Sequence, residues 1–154
     1  PIYYQEASLI LNEADKQAYD ATFFGCDGLD GILSVEGFDT ALAEGVMLLT
    51  PFVADEDKEL TKNFVAAYDE QFGGIPNQFA ADAYDGIYAI KAAIEKAGLT
   101  PDASVSDLCE GLKTAITEIS IDGLTGEGIT WTADGEPSKS PKAMVIKDGA
   151  YTAM

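Results

Sequence analysis

The run Phe23-Phe24-Gly25-Cys26-Asp27-Gly28-Leu29-Asp30-Gly31 decides the reading of this chain. Phe23 and Phe24 close a buried strand, and the glycines after them let the backbone turn and come close to a ligand. Asp27 then stands beyond a strand end, the place where α/β proteins bind small molecules. An Asp-Gly pair is also ordinary turn chemistry. The surroundings of the run therefore have to separate a solvated turn from a site.

Upstream, Ile2 to Tyr4 reads as the end of a strand. Ala7, Ile10, Leu11, Ala14 and Ala18 form an apolar stripe at helical spacing, and Thr22 to Gly25 is the next strand, so the pattern is a βαβ crossover. Downstream, Val46-Met47-Leu48-Leu49-Thr50 is a third, fully apolar strand that Pro51 stops. Asp55, Glu56 and Asp57 suit a helix N-terminus, with Leu60, Phe64, Tyr68 and Phe72 following until Gly73-Gly74. After Pro76 a second helix carries Phe79, Ala83, Ile87, Ile90, Ile94 and Ala97 on one face and ends at Gly98. A third starts at Ser104 or Ser106 and shows Leu108, Leu112, Ile116 and Ile119. The stripes are core faces and need no cofactor to explain them. From Ile129 the chain reads as β structure: Ile129 to Thr132, Ala143 to Ile146 and Tyr151 to Met154, with hairpin turns at Asp134-Gly135 and Asp148-Gly149.

Composition excludes several functions. The 154 residues are 47% hydrophobic, enough for a core, and of a length usual for one domain. Acids number 27 against nine bases, a formal charge of −18, and every base is Lys. Such a surface suits neither nucleic acid nor an anionic membrane, and it has no arginine fork for a phosphate. The absence of His removes the commonest general base and metal ligand. Cys26 and Cys109 have no zinc spacing and read as free thiols used in packing. Asp27-Gly28-Leu29-Asp30 fails as a calcium loop, which needs acids at alternate positions and a late Glu where this chain has Phe38. A glycosidase-like pair of Asp27 and Asp30 has no fixed separation in a glycine-rich turn and no activated nucleophile beside it, so an enzyme is not expected.

Several stretches together resemble the periplasmic binding proteins for branched-chain amino acids, the extracytoplasmic receptors of ABC importers. They are Tyr3-Tyr4-Gln5-Glu6-Ala7, the Phe-Phe-Gly-Cys-Asp-Gly run, Glu44-Gly45-Val46, Pro76-Asn77-Gln78-Phe79-Ala80-Ala81-Asp82-Ala83-Tyr84-Asp85, and Gly123-Leu124-Thr125-Gly126-Glu127-Gly128-Ile129-Thr130 with Asp134-Gly135-Glu136-Pro137. All fall in the family's order. The resemblance covers nearly the whole chain, while the chain covers roughly the C-terminal half, or less, of a family member. It implies a three-layer α/β type I periplasmic-binding-protein fold, present as a partial fragment of both lobes. Residues 1–51 and 142–154 are then expected in the C-terminal lobe, and 52–141, with the crossover segments, in the N-terminal lobe.

The resemblance also implies a function and a site. The expectation is a solute-binding component of an ABC importer that holds a free amino acid, leucine-, isoleucine- or valine-like, between two lobes, with ABC permease subunits as partners and no cofactor or metal. The family's acid for the ligand ammonium falls on Asp27, flanked by Cys26 and Gly28. Tyr3 matches an aromatic lining the pocket, though a Tyr followed by Tyr4 equally suits strand packing. Phe79 matches an aromatic near the ligand side chain, or heads its core stripe. Asp30 and Glu44 read as turn or cap residues, and Asp82 and Asp85 as a solvated helix face. Relatives bind the ligand carboxylate with residues of the N-terminal half, which this chain does not contain. The alternative is a sensory ectodomain of the same fold. Localisation is expected to be extracytoplasmic, in a periplasm or as a Gram-positive cell-surface lipoprotein. No segment spans a bilayer and no leader opens the chain, so Pro1 is not expected to be a natural start. Without the missing N-terminal half, the 154 residues are expected to associate, for instance as a homodimer.

Overall fold

The computed structural model describes residues 2–154, and the expectation for Pro1 lies outside the described residues. Residue contacts divide the chain into two compact units, Pro1–Val53 with Pro141–Met154, and Ala54–Ser140.

The first unit contains helix α1 (Tyr4–Lys16) and the strands β1 (Phe24–Gly25), β2 (Met47–Thr50), β3 (Lys142–Lys147) and β4 (Ala150–Ala153). They form a mixed sheet in the order β1-β2-β3-β4, parallel between β1 and β2 and antiparallel thereafter. Leu48 lies opposite Met144 in the register. These two and Ile146 are fully buried with Ala7 and Leu11 of α1, Val46, Ala43 and Ile32, so α1 covers the apolar face of the sheet. Lys147 pairs with Ala150 around Asp148-Gly149, whose φ values of 53° and 73° are the left-handed pair a two-residue hairpin requires.

The strand expected at Ile2–Tyr4 is absent. Tyr3 instead caps α1, because its carbonyl already accepts the Ala7 N–H at 2.9 Å as the first helical bond. The crossover is thus represented by α1 and β1 alone.

The second unit holds α2 (Glu59–Phe72), α3 (Gln78–Ala97) and α4 (Val105–Ala115), the last continued by a 3₁₀ turn at Ile116–Glu118. Helix α2 starts later than expected, so Asp55, Glu56 and Asp57 precede it and Glu59 is the acid of its first turn. Asn77 caps α3 by accepting from the N–H groups of Phe79 and Ala80, Gly98 ends it at φ 63°, and Ser104 caps α4 through Asp107 N–H. Phe64 joins α2 to α3, its ring centroid 5.2 Å from that of Tyr84.

The packing of α3 differs from the sequence expectation. Gln78, Ala81, Asp85, Ala89 and Ala93 are its buried residues, whereas Ile87 is 67% exposed and Ile90 48%. Small alanines on one side let neighbouring backbone come close, and the larger Ile stripe faces outward in this chain. Asp85, expected on a solvated face, is therefore buried. The Ile129–Thr132 strand is reduced to isolated bridges, Ile121 with Ile129 and Trp131 with Pro137.

Candidate functional site

The C-terminal end of β1 runs directly into the Asp27 turn. Leu29 N–H donates to Cys26 O at 3.2 Å and Asp30 N–H to Asp27 O at 3.0 Å, closing a 3₁₀ turn over Asp27–Leu29. Two glycines make that geometry possible. A β-carbon on Gly25 would lie 2.2 Å from Leu29 Cδ1, and one on Gly28 would lie 2.4 Å from the Ile2 carbonyl oxygen. The second contact is with backbone, so the entry to α1 can lie over the turn only because residue 28 has no side chain.

This close approach brings four of the candidate residues together. Tyr3, Cys26, Asp27 and Gly28 all line a cavity of about 540 Å³ whose remaining walls include Ala7, Ile10, Leu11, Phe23, Phe24, Ile32 and Val46. Asp27 is its one carboxylate. The volume is in the range of small-molecule sites, and an apolar wall with a few placed polar groups is their usual composition. Asp27 and Cys26 are exposed, and Tyr3 is 62% exposed. The cavity also runs along β1, which lies at the end of the sheet order and whose Phe24 is 61% exposed.

Phe79 does not join this group. It lies half-buried in the first turn of α3, in the second unit, and is not among the residues lining the cavity. Both cysteines are free and exposed, so neither serves the packing role expected of it. Among the described residues, no group of three or more His, Cys, Asp or Glu could hold a metal ion, and no helix is long and apolar enough to cross a membrane.

Asp30 and Glu44, expected as turn or cap residues, and Tyr151, for which the sequence suggested no role, support the turn. Asp30 is buried with its Oδ2 3.4 Å from Thr50 Oγ1, whose single proton is shared between Asp30 and Phe52 O, and Thr50 Oγ1 accepts Phe52 N–H. Tyr151 of β4 accepts the Gly31 N–H at 2.9 Å, and burial pushes its hydroxyl up to about 12. Glu44 accepts Asp148 N–H at 3.0 Å, holding the β3–β4 hairpin to the segment before β2. No local motif announces contacts between residues so far apart.

A sequence model described as a periplasmic binding protein matches residues 5–150. No curated protein sequence matches the chain. Among solved structures, a leucine binding protein from Thermotoga maritima is 24% identical with a TM-score of 0.77, over 99% of this chain and 42% of its own. A branched-chain amino acid transporter substrate-binding protein from Streptococcus pneumoniae, in complex with isoleucine, is 24% identical with a TM-score of 0.79, over 98% of this chain and 41% of its own. An ABC-transporter solute-binding protein from R. palustris, in complex with benzoate, is 18% identical with a TM-score of 0.77, over 96% and 39%. The chain thus spans about 40% of the length of these relatives, which are substrate-binding proteins and not enzymes. Matched over nearly its whole length, the chain belongs to the periplasmic binding protein family and has its type I, mixed α/β fold in part.

Proposed function

We propose that this chain is the C-terminal portion of an extracytoplasmic solute-binding protein of an ABC importer, and that Asp27 receives the ammonium of a free, branched-chain aliphatic amino acid. The observation that carries the reading is the exposed Asp27 carboxylate at the end of β1, on the rim of an otherwise apolar cavity beside Tyr3. A zwitterion entering such a place needs a partner for each charge, because an unpaired buried charge costs several kcal/mol or more. Asp27 supplies the partner for the positive end. Residues outside this chain meet the carboxylate. Phe79 contacts the ligand side chain in the complete protein. One fold relative holds benzoate, but an anion without an ammonium would face repulsion from Asp27, which favours the amino acid here.

The two units belong in this reading to two lobes, the first to the C-terminal and the second to the N-terminal lobe. The open edge of β1 and the outward Ile87 and Ile90 are the surfaces that the remaining length of the protein covers. The test is calorimetric titration of the full-length protein with L-leucine, L-isoleucine and L-valine and with their 2-hydroxy counterparts. The amino acids should bind and the hydroxy acids should lose most of the affinity. Equal binding of both would remove the ammonium from the recognition.

A further inference from the structure

Asp27 is held in place by a residue far along the chain. The hydroxyl oxygen of Tyr151 accepts the Gly31 N–H at 2.9 Å. Gly31 has φ 110°, a left-handed conformation open to glycine. One residue earlier, the Asp30 N–H donates to Asp27 O at 3.0 Å. One side-chain and one backbone hydrogen bond, joined through residue Asp30, therefore connect the Tyr151 hydroxyl to the Asp27 carbonyl. On the other side of the turn, Gly28 is pressed against Ile2 O. The phenol is neutral at any ordinary pH, since burial pushes it up to about 12, and so remains a constant acceptor.

We propose that Tyr151 is a positioning residue for ligand recognition: its hydroxyl fixes the turn Asp27–Gly31 so that the Asp27 carboxylate meets the ligand ammonium at bonding distance. This rests on the reading of Asp27 as the ammonium partner. A charge-assisted hydrogen bond depends on placement within a fraction of an ångström, and a carboxylate on a loosened turn forfeits part of it. The loss falls on ligands that carry an ammonium. Ligands that keep the carboxylate and side chain but lack the ammonium do not use the turn in this way. Merely lowering the stability of β4 would weaken both kinds alike.

The experiment measures the affinity of the full-length protein for L-leucine and for its 2-hydroxy counterpart, in the native sequence and in Tyr151→Phe, Asp27→Ala and Ile146→Val. Ile146→Val is the control, a core change at the position directly across from Tyr151 in the β3–β4 register that disturbs the packing there while keeping the Tyr151 hydroxyl. Tyr151→Met, which also lacks the hydroxyl, replaces Tyr151→Phe if that variant does not fold. The proposal expects the leucine-to-hydroxy-acid affinity ratio to fall about threefold to tenfold in the Tyr151 variant. It expects the hydroxy-acid affinity there to stay within about twofold, and Ile146→Val to keep the native ratio. A Tyr151 variant with the native ratio, alongside a collapsed ratio in Asp27→Ala, overturns the positioning role and leaves the Asp27 reading intact. A native ratio in Asp27→Ala, or no leucine binding at all, overturns the Asp27 reading and the positioning role together.

Discussion

Asp85 of α3 and Thr125 are locked together inside the second unit: Asp85 Oδ2 accepts the Thr125 hydroxyl at 2.6 Å and the Thr125 N–H at 2.8 Å, while Oδ1 accepts Leu124 N–H at 2.8 Å. Asp85, Leu124 and Thr125 are all nearly inaccessible to solvent. A β-carbon on Gly123 would sit 2.5 Å from the same carboxylate, so the loop reaches the helix only with glycine there. We expect Asp85→Ala to cost about 2–3 kcal/mol, since it removes three bonds to a charged acceptor and leaves two buried N–H groups unsatisfied. Urea unfolding of the full-length protein reads the loss. A shift under about 0.5 kcal/mol, the range of ordinary surface changes, would contradict the clamp.

Two glycines should respond in opposite directions. At Gly28 an added methyl meets the Ile2 backbone at 2.4 Å, so Gly28→Ala should displace the α1 entry or the turn and weaken ligand binding by about tenfold. At Gly86, inside α3, nothing lies within 4 Å of an added methyl, and Gly86→Ala should stabilise the protein by about 0.5–1 kcal/mol. Thermal unfolding and calorimetric titration of the two variants check both signs.

High pH should loosen the fold. Tyr151 is pushed up to about 12 by burial, and Tyr84 to about 12 by its bond with Tyr88 and by burial, against an ordinary value of 10.0. A folded-state value above the unfolded one gives stability that is complete below pH 10 and lost as the pH climbs from 10 toward 12. The unfolding midpoint should fall across that window, and fall less in Tyr151→Phe. A variant with the same alkaline slope as the native protein would exclude Tyr151 as a contributor.

The 154 residues in isolation should associate. Phe24 on the open edge of β1 is 61% exposed and Ile87 on α3 is 67% exposed, and unpaired edges beside apolar patches recruit partners. Light scattering of the isolated chain should report a dimer or larger species. A compact monomer would mean that these faces are covered within the chain itself.

What the sequence conveyed, and what it hid, follows from the range of the interactions. Local chemistry was legible: the Asp148-Gly149 hairpin, the Ser104 cap and the Gly98 stop are decided by neighbours within a few residues. Tyr3, placed beside Asp27 by the family resemblance, does line one cavity with Cys26, Asp27 and Gly28. Burial that depends on distant partners was not. Asp85 carries no local sign that Thr125 lies opposite, and the isoleucine stripe of α3 outranks its alanine side in hydrophobicity while the alanines are what this chain buries. Tyr3 and Tyr4 favour a strand by propensity, yet the Tyr3–Ala7 hydrogen bond commits them to a helix start. Tyr151 could not be tied to Gly31, 120 residues away, by any pattern.

Pairing of Asp27 with a ligand ammonium makes affinity depend on the Asp27 carboxylate. Calorimetric titration of the full-length protein and its Asp27→Ala variant with the preferred amino acid tests it most directly. A charge-assisted bond is worth about 1.5–3 kcal/mol, so the variant should bind at least about tenfold more weakly. Its unfolding temperature should stay at the native value, because Asp27 is exposed. Native affinity in Asp27→Ala would contradict the account.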